Sequence, residues 1–235
     1  MTQDPPKINL ILVPGIQGTG HFFNPLLAYL PPDVSCVVIS YPENVLKSLE
    51  QYADYVAEHF PAGGAFILAE SFGGLVTLML LHRHPDKAKG TIFSATFSKA
   101  LYPWLIRGLS FIPGIEKLIR KAPVWFLNHF LFGPYADKDL ASLLKKGLPG
   151  INPAGFKQRA KLISEGYPYP DDHFSIPCLY IQALHDRIVP GRSVDWFASH
   201  FSPFERVTLA APHSILQTRP RQCAEKIIEF LRQNR

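Results

Sequence analysis

The chain has 235 residues, 47% of them hydrophobic and 18% charged, and a net charge of +5. That balance describes a globular protein with a sizeable core, in one large α/β domain or two smaller ones. No apolar run reaches the ~18 residues a bilayer span needs, and Cys36, Cys178 and Cys223 are too few and scattered for a disulfide framework or a zinc site.

The N-terminus lacks a basic leader, and its first apolar run, Ile8–Val13, is too short for a secretory signal, so a cytoplasmic protein is expected. That run is the first strand candidate. It leads into Val13-Pro14-Gly15-Ile16-Gln17-Gly18-Thr19-Gly20, whose glycines let the backbone approach a ligand closely. They do not spell a phosphate-binding pattern, and no lysine follows as in a P-loop. A helix over His21–Leu30, a strand over Val34–Ser40 and a helix over Val45–Phe60 come next.

Ala65–Glu70 reads as a strand running straight into Ser71, and Phe72–His82 as the helix after it. Strand, serine, helix is the setting of a nucleophile elbow. Ala69 stands where glycine is usual, and Gly73 follows two residues after the serine. The Phe72 N–H lies at a helix N-terminus, where negative charge is favoured. By position, the N–H of Ile16 would join it as the second donor of an oxyanion hole. A strand over Gly90–Ser94 closes this stretch.

The alternation then stops. From Lys99 to Asp172 no strand is legible, and Pro and Gly punctuate short helical pieces. Eleven basic residues stand there against six acidic ones, so the whole net charge of +5 sits in this stretch. The reading is a helical insertion over residues 99–172, with residues 1–98 and 173–235 forming the core domain. Gln17 and His21 from the core, with Trp104, Trp125 and Phe126 from the insertion, are the candidates to line a pocket at the junction. The basic surface suits an acidic carrier protein, coenzyme A or an anionic membrane surface, or is simply a solvated face. No nucleic-acid-binding motif appears.

Strand and helix resume with Pro177–Ala183, Ser193–His200, Arg206–Leu209 and Cys223–Leu231. Alternating strands and helices imply a parallel sheet with right-handed crossovers. Asp186 and His213 each fall in a loop at the carboxyl end of a strand, the edge that also carries Ser71. A serine hydroxyl needs a base, and the base needs an orienting acid. His213 and Asp186 fill those roles in the chain order Ser, Asp, His, while His185 is a rival base and Asp172 and Asp195 are rival acids. His59, His82, His84 and His200 sit near helix C-termini, where a cation suits the dipole.

Taken together, Val13-Pro14-Gly15-Ile16, Ala69-Glu70-Ser71-Phe72-Gly73-Gly74, His185-Asp186-Arg187-Ile188-Val189-Pro190 and Pro212-His213 resemble the α/β-hydrolase superfamily over nearly the whole chain. The resemblance implies an α/β fold of mainly parallel strands with helices on both faces and a helical cap inserted after the fourth strand. It also implies a serine hydrolase that cleaves an ester or thioester through an acyl-enzyme, without metal or organic cofactor, and the aromatic residues of the insertion suggest an apolar acyl group. Pro14 stands where a histidine often precedes the oxyanion-loop glycine, as in some thioesterase-like members. The antiparallel strands that open larger members are expected to be missing. The alternatives are an acyltransferase with an alcohol or amine acceptor, and a ligand-binding protein of this fold without turnover.

Overall fold

Near-continuous apolar runs form the inner strands, as they must where both faces of a parallel sheet are covered. The computed structural model describes residues 7–100, 103 and 123–235. Its sheet contains β1 Ile8–Val13, β2 Val34–Val38, β3 Ala65–Glu70, β4 Ala88–Ser94, β5 Cys178–Ala183 and β6 Phe204–Leu209. Every pairing is parallel, in the order β2-β1-β3-β4-β5-β6. The strand order reverses between β1 and β3, the switch point where open α/β sheets place their ligands. Val13 and Ala69 pair there in register, so the loops after β1 and β3 leave the sheet side by side.

The helices among the described residues are α1 Asn24–Leu27, α2 Leu49–Ala57, α3 Phe72–Arg83, α4 Val124–Phe132, α5 Lys138–Gly147, α6 Pro153–Glu165, α7 Ser193–His200, α8 Ile215–Thr218 and α9 Pro220–Gln233. Strand side chains alternate between two layers. Ile11, Val13, Ile67 and Ala69 pack with α2, α3 and α7. Leu10, Leu12, Phe66 and Leu68 pack with α1, α8 and α9 on the other face. α9 buries Cys223, Ala224, Ile227, Phe230 and Leu231, a helical stripe. Side chains the size of Phe230 and Leu231 each contribute roughly 1.5–3 kcal/mol when buried.

Several boundaries differ from expectation for identifiable reasons. The helix expected over His21–Leu30 is a 3₁₀ turn at Gly20–Phe23 followed by the short α1. Pro25 fits only a first turn, so a new helix starts there and ends before Pro31-Pro32. α2 begins at Leu49, because the Ser48 hydroxyl caps it by accepting from the Gln51 N–H at 3.4 Å. α9 begins earlier than Cys223, with Pro220 in its first turn. β6 begins two residues before Arg206, as an edge strand that exposes Glu205, Arg206 and Thr208.

Between β4 and β5 the described residues hold α4, α5 and α6 and no strand. Phe132, Leu140, Leu143 and Leu144 cluster on Phe22 of the sheet domain. Leu162 and Ile163 of α6 join the layer around α3. Cys178 and Cys223 are buried and free, and Cys36 is half-buried. Burial pushes the Cys36 thiol up to about 11 and Cys223 up to about 12.

Candidate active site

Ser71 sits between β3 and α3 with φ 51° and ψ −117°, backbone angles that a side chain disfavours. Such a conformation costs about 1–3 kcal/mol and persists only where neighbours hold it. Here the Ser71 N–H donates to Ser94 O at 3.0 Å, and the Thr96 hydroxyl donates to Ser71 O at 2.5 Å. Gly73 lets α3 start close against the end of β1, since a Cβ there would stand 2.4 Å from Val13 O. Gly73→Ala is therefore expected to lower unfolding stability by about 1–3 kcal/mol in urea titrations.

Asp186 and His213 come from adjacent loops that are tied together. After β5, the Leu184 N–H donates to Leu209 O and the His185 N–H to Ala211 O. Asp186 Oδ1 accepts the N–H groups of Ile188 and Val189, both at 2.8 Å. Its other oxygen, Oδ2, lies 2.8 Å from His213 Nδ1. His213 Nε2 in turn lies 3.1 Å from Ser71 Oγ. A carboxylate only accepts, so Nδ1 carries the proton and Nε2 is free to accept from the serine hydroxyl. The two side chains are 13% and 5% exposed, which strengthens their interaction by excluding water.

The loop after β1 runs beside the serine. A Cβ at Gly15 would stand 3.3 Å from Ser71 Cβ. Phe72 N–H, at the first position of α3, has no partner within the helix. Gln17 Nε2 donates to Glu70 Oε2 at 3.3 Å, and Gln217 Nε2 donates to Glu70 Oε1 at 2.9 Å. Burial pushes the Glu70 carboxyl above its usual value of 4.5, against the pull of the Gln217 amide, the nearby His213 and the Gln17 amide. The folded state thus holds the Glu70 proton more tightly than the unfolded state. Its contribution to stability falls as pH rises from about 4.5 through that higher folded value. Glu70→Gln is expected to flatten that part of a urea-unfolding profile against pH.

The rivals lie elsewhere. His185 Nδ1 is 3.1 Å from the Tyr135 hydroxyl. Asp172 accepts from His82 Nδ1 at 2.9 Å and from the Tyr167 hydroxyl. Asp195 is in the first turn of α7. His84 pairs with Asp54, and His59 Nδ1 with Tyr55 O. Of the pocket candidates, Gln17 joins the polar cluster described above. His21 is half-buried with its Nδ1 3.4 Å from Asn24 Nδ2, and its Nε2 has no hydrogen-bond partner among the described residues. Trp104 lies outside the described residues. Trp125 and Phe126 are 72% and 49% exposed, their rings edge-on at 6.0 Å. The described residues therefore do not form an enclosed apolar pocket walled by these two. α4 is apolar except for Asn128 and His129, so its sequence only weakly marks which side is covered.

Glu70, Gln217 and Thr96 escape a sequence reading. Glu70 alone leaves a signal, a carboxylate closing an otherwise apolar strand. A cleft of about 280 Å³ among His82, Pro85, Asp172 and Phe174 lies at the amino ends of β4 and β5, away from Ser71. Among the described residues no group of three or more His, Cys, Asp or Glu side chains could hold a metal ion.

Solved structures superpose over nearly the full chain. The enol-lactonase of Burkholderia xenovorans LB400 does so with a TM-score of 0.82 at 15% identity, covering 99% of this chain and 94% of that one. A thermophilic esterase of Thermogutta terrifontis gives 0.76 at 16% identity, covering 96% and 90%. A serine O-succinyltransferase of Xanthomonas campestris pv. campestris is 26% identical over 204 residues, 75% of this chain and 50% of its own length. The chain thus spans about half the length of the curated relatives it matches. With the family profile matching residues 10–226, the chain belongs to the alpha/beta hydrolase family.

Proposed function

We propose that this protein is a serine hydrolase that cleaves a carboxylic ester or thioester through an acyl-enzyme on Ser71. The observation that carries the reading is the connected set Ser71–His213–Asp186, spaced at 3.1 and 2.8 Å along the carboxyl edge of the sheet, with Ser71 at the switch point.

In this reading Ser71 Oγ attacks the carbonyl carbon while His213 Nε2 takes its proton. Asp186 stabilises the imidazolium that forms. The N–H groups of Phe72 and Ile16 receive the oxyanion. His213 then gives its proton to the leaving alcohol or thiol. Water, deprotonated by His213, releases the acid and restores the serine. A serine-directed fluorophosphonate is expected to modify Ser71 in the folded protein, located by peptide mass spectrometry. A folded protein whose Ser71 stays unmodified contradicts the reading.

One finding favours a second outcome for the same acyl-enzyme. The matched serine O-succinyltransferases transfer an acyl group to an alcohol, so an acceptor hydroxyl could replace water here. Product analysis with and without added L-serine separates the two, as O-acylated product or free acid. The substrate side rests on charge. Lys138, Lys145, Lys146, Lys157 and Lys161 of the insertion are all exposed, a surface that suits an acyl group carried on an acidic protein or on coenzyme A. A preference for the carried ester that weakens with salt supports this. No helix among the described residues is long and apolar enough to cross a membrane.

A further inference from the structure

Arg159 belongs to α6, a helix of the basic insertion, yet it is only 2% exposed. A buried guanidinium is tolerated only where its donors are met. Three of the donors are met, two of them by the loop beside Ser71. Arg159 Nε–H donates to Ile16 O at 2.7 Å and an Nη2–H to Gln17 O at 3.4 Å, while Nη1 reaches the Tyr52 hydroxyl at 3.5 Å. The guanidinium also stands 5.5 Å from the centre of the Tyr41 ring, and the Tyr41 hydroxyl donates to Pro14 O at 3.0 Å. Gly18, at φ 74°, leaves the space, since a Cβ there would stand 2.6 Å from Arg159 Cζ.

These bonds bracket one peptide. The Gly15–Ile16 unit carries the Ile16 N–H. On one side the Pro14 carbonyl is held by Tyr41, and on the other the Ile16 carbonyl is held by Arg159. Its own carbonyl accepts the Gly18 N–H at 3.0 Å. In a trans peptide the N–H points opposite to the carbonyl, so the orientation of the Ile16 N–H is set by three anchors. Only Arg159 among them comes from the insertion.

We propose that Arg159 is a positioning residue that completes the oxyanion hole from the insertion, so that the hole is fully formed only with α6 docked. This rests on the reading of Ser71 as the acylated nucleophile. Carbonyl fixing calls for a forked donor, which the single ammonium of lysine does not reproduce.

The experiment is steady-state hydrolysis of a p-nitrophenyl ester by wild type, Ser71→Ala, Arg159→Met, Arg159→Lys and Arg159→Ala, each checked for folding by circular dichroism. Removing one oxyanion donor typically lowers kcat by about 10²–10³. Misplacing one is expected to lower kcat about 10- to 100-fold in Arg159→Met, with KM within about twofold. Arg159→Lys is expected to fall between Arg159→Met and wild type, and it keeps the test open if the methionine variant does not fold. Millimolar guanidinium is expected to restore part of kcat in Arg159→Ala, a rescue that a merely structural role does not produce. Wild-type kcat in a folded Arg159→Met, or a rise in KM alone, overturns the proposal and leaves the Ser71 reading intact if Ser71→Ala is inactive. An active Ser71→Ala overturns both.

Discussion

Ser71→Ala is expected to lower kcat for ester hydrolysis by a factor on the order of 10⁴–10⁶, with the fold retained. The expectation rests on where this serine stands. Its backbone is held at φ 51° by Ser94, Thr96 and the first turn of α3, none of which needs the hydroxyl. Alanine can occupy the same strained position, held by the same backbone bonds. What disappears is the Oγ that lies 3.1 Å from His213 Nε2. Loss of one hydrogen bond to a neutral partner changes stability by about 0.5–1.5 kcal/mol, so thermal melting should move little while turnover collapses. Assays of the purified variant, with circular dichroism as the control, check this. Substantial residual turnover would place the chemistry on another group.

Asp186→Asn is expected to lower kcat by about 10⁴ with KM little changed. Asparagine keeps the shape and one carbonyl-type oxygen. The Ile188 and Val189 N–H groups, both 2.8 Å from Oδ1, compete for that oxygen and hold it where it is. The amide NH₂ then faces His213 Nδ1, the atom now 2.8 Å from Oδ2. A donor facing Nδ1 makes it the acceptor and moves the ring proton to Nε2. Nε2 can then no longer take the serine proton. The imidazolium also loses its counter-charge in a site where Asp186 is 5% exposed. Wild type and variant compared over the full pH range check this. Recovery of the variant's kcat at high pH, where less base assistance is needed, is the expected signature of a wrong tautomer rather than of a disordered loop.

What could be read from the chain follows from how locally each feature is encoded. Ser71 follows directly on the apolar β3, while Asp186 and His213 lie in the loops that leave β5 and β6, and a parallel sheet brings the carboxyl ends of its strands to one edge. The two helical layers follow from the same alternation, and the sheet has the parallel form expected of it, whereas the order of its strands had no signal in the sequence. The 3₁₀ turn at Gly20–Phe23 was hidden because His21–Leu30 is apolar enough to pass for one helix. Trp125 misleads because size alone suggests burial, whereas Phe132 on the same helix is buried in the cluster around Phe22. Arg159 left no mark at all. Its partners Ile16 and Gln17 lie 143 and 142 positions away, and an arginine among lysines on a basic helix reads as solvated. Thr96, which holds the Ser71 carbonyl across 25 positions, is hidden in the same way. Long-range polar contacts to backbone have no sequence pattern of their own.

The central claim is that Ser71 carries the acyl group during turnover, and rapid-quench mass spectrometry tests it directly. The protein is mixed with an excess of an activated ester, quenched in acid within milliseconds, digested, and the peptide containing Ser71 is weighed. The account predicts that this peptide gains the mass of the acyl group at least as fast as product forms, and that the gain is absent in Ser71→Ala. Steady product formation by the wild type with the Ser71 peptide unmodified, or with the acyl mass on a different residue, would contradict it.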